Sequence, residues 1–135
     1  MYRHILVAVA FDQDHKPGKS LVAARLLADG DARVTLVHVM AEVPGYALSY
    51  MPEGYEEELQ RAALAELAAL SQDLPNSAAV LLHGHAGNQI LEWAAQNEVD
   101  CIVLDSHRPG LRDYLLGSTA ARIVRHAPCT VMVLR

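Results

Sequence analysis

The sequence predicts an α/β protein, a doubly wound parallel sheet of five strands with helices on both faces. Two observations carry that reading. Short apolar runs alternate with segments of helical spacing from one end of the chain to the other. The apolar runs are also nearly continuous rather than alternating, which is how strands buried on both faces read.

The first strand is the run Ile5-Leu6-Val7-Ala8-Val9-Ala10. The second is Val34-Thr35-Leu36-Val37-His38-Val39-Met40 and the third Ala79-Val80-Leu81-Leu82. Cys101-Ile102-Val103-Leu104 and Thr130-Val131-Met132-Val133-Leu134 complete the set. A first helix is expected around residues 20–28, its start blurred by Pro17-Gly18. Leu59, Ala63, Leu67, Leu70 and Leu74 share one face of the next, and Glu56, Glu57, Glu58, Gln60, Arg61 and Glu66 supply its polar side. The acidic residues also fall in its first turns, where the helix dipole favours them. Ile90, Leu91, Trp93 and Ala94 mark a further helix, as do Ala120, Ile123, Val124 and Ala127. Pro128 ends the last one, because a residue before proline is pushed out of the α region. Residues 41–53, with Pro44, Gly45 and Pro52, read as a long surface loop. Tyr46, Tyr50, Met51 and Tyr55, in and just after it, are expected to cover the core, with a ligand cover or a partner surface as the alternatives.

Length and composition bound the function. The 135 residues fit one domain spanning 1–135, and 52% hydrophobic against 20% charged residues is a globular balance. A formal net charge of −5 offers no basic surface for nucleic acid or an anionic membrane. No apolar run approaches the roughly 18 residues that cross a bilayer. The chain enters its first strand without signal-peptide organisation, so a cytoplasmic protein is expected. Cys101 and Cys129 lie in apolar stretches with no metal-ligand spacing and read as reduced core thiols. His83 and His85 would share a strand face, but two histidines with no adjoining Cys or carboxylate ligand make a weak set, so no metal is expected. His38 reads as a packed, hydrogen-bonded strand residue and Trp93 as core.

Parallel crossovers are right-handed, and with strands one and four side by side the chain leaves them in opposite directions. Ligands in such sheets bind at the carboxyl ends of the strands flanking that point. The site is therefore expected among Ala8, Val9, Ala10 and the turn from Leu104 to Thr119. Gly117-Ser118-Thr119 opens a helix there, with free N–H groups, two hydroxyls and a positive dipole end suited to phosphate, although the same tripeptide is also an ordinary cap. His107, Arg108 and Arg112 add cationic donors. Asp105, Ser106 and His107 are the residue types of a nucleophilic triad, but neighbours in sequence do not form its chain of hydrogen bonds, so turnover is not expected. A weak phosphohydrolase is the enzymatic alternative.

The stretch DSHRPGLRDYLLGSTAARIVRHAPCTVMVLR resembles the C-terminal signature of the universal stress protein family. ILVAVAF, TLVHVM, and HGHAGNQILEWA ahead of CIVLDSH match its other blocks in order, so the resemblance covers nearly the whole chain. SHRP, LLGS and RHAPC together are most similar to the short F/G-type single-domain members. The resemblance implies the adenine nucleotide alpha hydrolase-like fold with strand order 3-2-1-4-5. It also implies a homodimer paired through the last strand, residues 130–134, and a stress-response role. Many members bind ATP or AMP and others bind no nucleotide. Residues implied to contact the nucleotide are Ala8, Val9, Ala10, Val39, Leu104, Asp105, His107, Arg108, Gly110, Gly117, Ser118 and Thr119.

The family's nucleotide signature is Gly-2x-Gly-9x-Gly-Ser/Thr, with an Asp at the end of the first strand. Here Asp105 and Arg108 stand at the first two glycines, the spacing to Gly117 is one residue shorter, and Ala10 stands at the strand-one Asp. Ala120 takes the place of a second Ser or Thr. The expected arrangement has Ser118, Thr119 and the Gly117 backbone on phosphate, helped by Arg108. Ala8 to Ala10 and Val39 frame the adenosine, and Asp105 bonds ribose in place of the missing carboxylate. The alternative is a member that has lost the nucleotide and acts as a protein-interaction module.

Overall fold

The computed structural model describes residues 1–11, 18–105 and 117–135. Five parallel strands form one sheet in the order β3-β2-β1-β4-β5: β1 (Tyr2–Ala8), β2 (Ala28–Met40), β3 (Ser77–His83), β4 (Cys101–Asp105) and β5 (Thr130–Leu134). The helices are α1 (Gly18–Leu27), α2 (Gly45–Leu48), α3 (Tyr55–Ser71), α4 (Ala86–Gln96) and α5 (Ser118–His126). β1 and β4 are neighbours, with Val7 opposite Val103, so the predicted strand order and switch point are present.

Side chains alternate across each strand and divide the core in two. Ile5, Val7, Val9, Val34, Leu36, Cys101 and Val103 pack with Ala24 of α1 and Leu67 of α3. Leu6, Val37, Ile102 and Leu104 pack on the other face with Ile90 and Ala94 of α4 and Ala120 and Ile123 of α5. The sheet thus separates an α1/α3 face from an α4/α5 face. Cys101 belongs to the first cluster and Cys129 packs against the second, so the two thiols lie on opposite sides of the sheet.

Several boundaries differ from the sequence expectation. β1 starts at Tyr2 and ends at Ala8, leaving Ala10 exposed beyond it. β2 starts at Ala28, six residues before its apolar run, because Tyr2 pairs with Ala28 and the register then jumps so that His4 pairs with Arg33. The polar residues Asp29, Gly30 and Asp31 fill that irregularity, and no periodicity could reveal it. The expected loop 41–53 holds the short helix α2, which follows Pro44, a residue with its φ already fixed near helical values. Tyr46 and Tyr50 do not cover the core; they are 78% and 89% exposed. On α3 only the C-terminal part of the expected apolar face is buried, with Leu67 at 0% and Leu59 at 39% exposure. Ala127 is extended ahead of Pro128 (ψ 134°), as the proline requires.

Candidate functional site

The carboxyl ends of β1, β2 and β4 and the start of α5 meet at one edge of the sheet. Strand alternation decides which candidate residues share a face. Ala8, Val39 and Leu104 pack on the α4/α5 face, the face on which α5 sits with Gly117, Ser118 and Thr119 at its start. Val9 packs on the α1/α3 face, and Asp105, two residues beyond Val103, falls on that face too. Ala10 is exposed past the strand end. His107, Arg108 and Gly110 lie outside the described residues.

α5 is the part of the edge best suited to an anion. Its N-cap, Gly117, is extended (φ −63°, ψ 158°) and makes no side-chain cap bond. Gly117 therefore offers the first-turn N–H groups no side-chain acceptor, whereas in α4 the His85 Nδ1 accepts the Asn88 N–H at 3.3 Å. Gly117 is buried, Ser118 is exposed and Thr119 half-buried, so both hydroxyls are placed to reach a bound group. Arg125 and His126 in the last turn match the opposite end of the dipole. α5 is braced on α4: Arg122 Nε donates to Asn88 Oδ1 (2.5 Å), and the Arg122 Cδ would stand 3.0 Å from a Cβ at Gly87.

Val9 is committed to β2 rather than open to a ligand. Its N–H donates to the Val37 carbonyl and its own carbonyl accepts from His38 Nδ1, both at 2.8 Å. A carbonyl only accepts, so the His38 proton sits on Nδ1 and Nε2 is left as an acceptor when the ring is neutral. Phe11 lies against this ring, centroid to centroid 4.6 Å. His38 is therefore the packed strand residue expected of it, and it fixes the end of β1.

Asp105 has a partner that sequence reasoning missed. The buried hydroxyl of Ser20, in the first turn of α1, donates to Asp105 Oδ2 at 2.9 Å. The only signal was a small polar residue at the start of a helix whose middle is apolar. The register sets Asp105 on the face of Val9 rather than that of Ala10, so its carboxylate comes to the edge from the α1 side.

The amino edge of the sheet is differently built. His4, 3% exposed, donates from Nδ1 to the Asn97 carbonyl (2.9 Å) and accepts at Nε2 from the Thr35 hydroxyl (2.8 Å). Trp93 meets this ring edge-on, and packs against the α4/α5 core as expected. Asp100 accepts the Arg3 and His4 N–H groups at 2.8 and 3.0 Å. Burial pushes the Asp100 carboxyl up, but these N–H bonds and the nearby His4 outweigh it and hold it below the usual carboxylate value. Burial, with smaller contributions from Cys129 and Asp100, pushes the Cys101 thiol up to about 11, so it is inert at neutral pH. His83 is exposed at the end of β3, while His85 caps α4.

A doubly wound parallel sheet with polar residues at the carboxyl ends of its β1/β4 switch strands is an arrangement of the kind that binds ligands in α/β proteins. The family model for the universal stress protein family matches residues 1–135, and the chain belongs to that family. It is 32% identical to a universal stress protein of Thermus aquaticus and 28% identical to universal stress protein G of Salmonella typhimurium, each over 100% of both chains. Among solved structures, the universal stress protein of Lactobacillus plantarum is similar at TM-score 0.72 and 26% identity, covering 99% and 98% of the two chains. The Archaeoglobus fulgidus protein in complex with dAMP matches at TM-score 0.66 and 18% identity, covering 99% and 98%. An Arabidopsis thaliana family member with AMP bound matches at 0.65 and 17%, covering 98% and 90%. These last two identities establish the shared fold.

Proposed function

We propose that this universal stress protein is a dimeric, adenine-nucleotide-responsive module whose site is the β1/β4 switch point, and that it works by binding rather than by turnover. The observation that carries the reading is the start of α5: a buried Gly117 with no side-chain cap, followed by two hydroxyls, at the ligand-binding edge of the sheet. The first-turn N–H groups with Ser118 and Thr119 hold phosphate, and Ala8, Leu104 and Val39 form an apolar shelf for the adenosine on the same face. The Val39 peptide group reads the adenine edge. Asp105 keeps one carboxylate oxygen without a partner among the described residues, and that oxygen accepts from a ribose hydroxyl. Arg108 assists at the phosphates. The dAMP and AMP complexes of the two structural relatives support this choice of ligand. The dimer forms by edge-to-edge pairing of β5.

The deciding experiment is mass spectrometry of small molecules released by denaturing freshly purified protein, with calorimetric titration of ATP and AMP. A released adenine nucleotide, or saturable heat, supports the reading. No released nucleotide and no heat at millimolar ligand sinks it and leaves the interaction module. Sedimentation at micromolar concentration is expected to give the mass of a dimer; a monomer removes the β5 pairing.

A further inference from the structure

A cavity of about 830 Å³ opens at the amino edge of the sheet, at the far end of the strands from the switch point. Every connection that reaches this edge is described: α1 runs directly into β2, and residues 72–76, 97–100 and 127–129 enter β3, β4 and β5. Arg3, Asp31, Arg33, Glu98 and Asp100 line the cavity. The one ion pair among the described residues joins Met1 to Asp29, so neither arginine is paired with the carboxylates around it. Arg33 stands opposite His4 in the β1/β2 register, and its Nη2 lies 3.4 Å from His4 Nδ1, which already donates to the Asn97 carbonyl. The guanidinium therefore rests against the buried ring with its N–H groups still available.

Two backbone features fix the rim. Asn76 and Glu98 are the non-glycine residues with positive φ among the described residues, and both line the cavity. Asn76 (φ 56°) donates from Nδ2 to the Asp31 and Ala32 carbonyls at 3.1 and 3.3 Å, which pins the irregular start of β2. Glu98 (φ 54°) follows the C-cap of α4, and the next N–H, that of Val99, closes on the Ala94 carbonyl at 3.0 Å. Glycine suits that left-handed position best, so a glutamate there is held at some loss of stability. Its carboxylate has no cationic partner among the described residues and borders the cavity instead.

From this arrangement we propose that the amino-edge cavity binds a short peptide with free termini, Arg33 and Arg3 taking its carboxylate and Glu98 and Asp31 its ammonium group. The charges decide the class. A ligand carrying only negative charge meets Asp31, Glu98 and Asp100, the last held ionised by the Arg3 and His4 N–H groups. A ligand carrying only positive charge meets both guanidiniums. A zwitterion finds an opposite charge for each end, and a planar guanidinium grips a carboxylate through two parallel bonds. The volume falls within the roughly 300–1,000 Å³ of small-molecule sites, which leaves room for more than one amino acid.

The test is an amide NMR titration of the full chain, at low salt and near neutral pH, with triglycine, N-acetyltriglycine and triglycinamide. Triglycine is expected to shift the signals of Arg3, Arg33, Asn76 and Glu98 saturably, with a dissociation constant on the order of a millimolar. Blocking either terminus should weaken binding about fivefold, an effect that shrinks as salt rises. Arg33→Gln should weaken triglycine about fivefold and lessen the penalty for amidation; Glu98→Gly should weaken it similarly and lessen the penalty for acetylation. Glu98→Gly should also melt no lower than the wild type, which separates loss of ligand from loss of fold. No saturable shift at tens of millimolar triglycine overturns the proposal, as does equal affinity for the blocked peptides. Free glycine binding as tightly as triglycine overturns the peptide class. Unchanged affinity in both variants overturns the assignment of the termini. None of these outcomes depends on whether AMP binds at the opposite edge.

Discussion

The two edges of the sheet use similar residue types in opposite ways. At the amino edge His4 uses both ring nitrogens, and both Asp100 oxygens receive backbone N–H groups. At the carboxyl edge, among the described residues, Asp105 has one oxygen engaged, Ser118 is exposed, and the N-cap of α5 makes no side-chain bond. At the amino edge the polar groups satisfy one another and hold the protein together, although a cavity of about 830 Å³ opens beside them, lined among others by Arg3, His4, Arg33, Glu98 and Asp100. Polar groups positioned but left with bonding capacity are what a ligand uses. Under the proposed function, the comparison sets stability at one edge against binding at the other.

Variants should therefore separate the two properties. The largest effect is expected for His4→Ala. It strands the Asn97 carbonyl and the Thr35 hydroxyl and opens a void beside Trp93, costing about 3 kcal/mol of stability in urea titrations. AMP affinity of the remaining folded protein should stay within about twofold, since His4 sits at the other end of the strands. A large loss of AMP affinity would break the division of labour. Next comes the double variant Ser118→Ala with Thr119→Ala. Losing two hydroxyl contacts to phosphate should weaken AMP about tenfold, while stability changes by less than about 0.5 kcal/mol because Ser118 is exposed. Unchanged affinity there would move the phosphate off α5.

The smallest effect is a pH signature at Asp100. Its carboxyl is depressed in the folded protein, so the stability it confers is present above the unfolded value, near pH 4, and is lost as pH falls through the folded value. Asp100→Asn should cost about 1 kcal/mol at pH 7, and the gap from wild type should close as pH drops below about 4. A gap that persists at pH 2 would mean the carboxylate charge is not what matters.

Most of the architecture was readable from the sequence, because doubly buried strands and helical spacing leave strong patterns. Residues 101–104 and 130–134 read as strands and fold as strands. What escaped were features set by contacts distant in sequence. Ala28 joins β2 because Tyr2 lies beside it, and Leu59 stays exposed although its spacing on α3 matches that of Leu67. The location of the candidate site follows from strand order alone. Its internal division did not: only the register shows Asp105 reaching the edge from the α1 side and Ala8, Val39 and Leu104 from the other. Ser20 carried no motif, and its role appears only when α1 lies across β4.

The sheet also acts as a partition for sulfur chemistry. Cys101 and Cys129 are close in the strand pattern, but a layer of backbone stands between their side chains. Oxidation has no internal cross-link to make without taking the sheet apart. Burial raises both thiols, but Cys101 is sealed while Cys129 is half-buried, so Cys129 is the thiol an oxidant reaches, by capping it or by joining one chain to another. Thiol oxidation in this protein thus caps Cys129 or joins two molecules through it, and builds no bridge between the two cysteines of one.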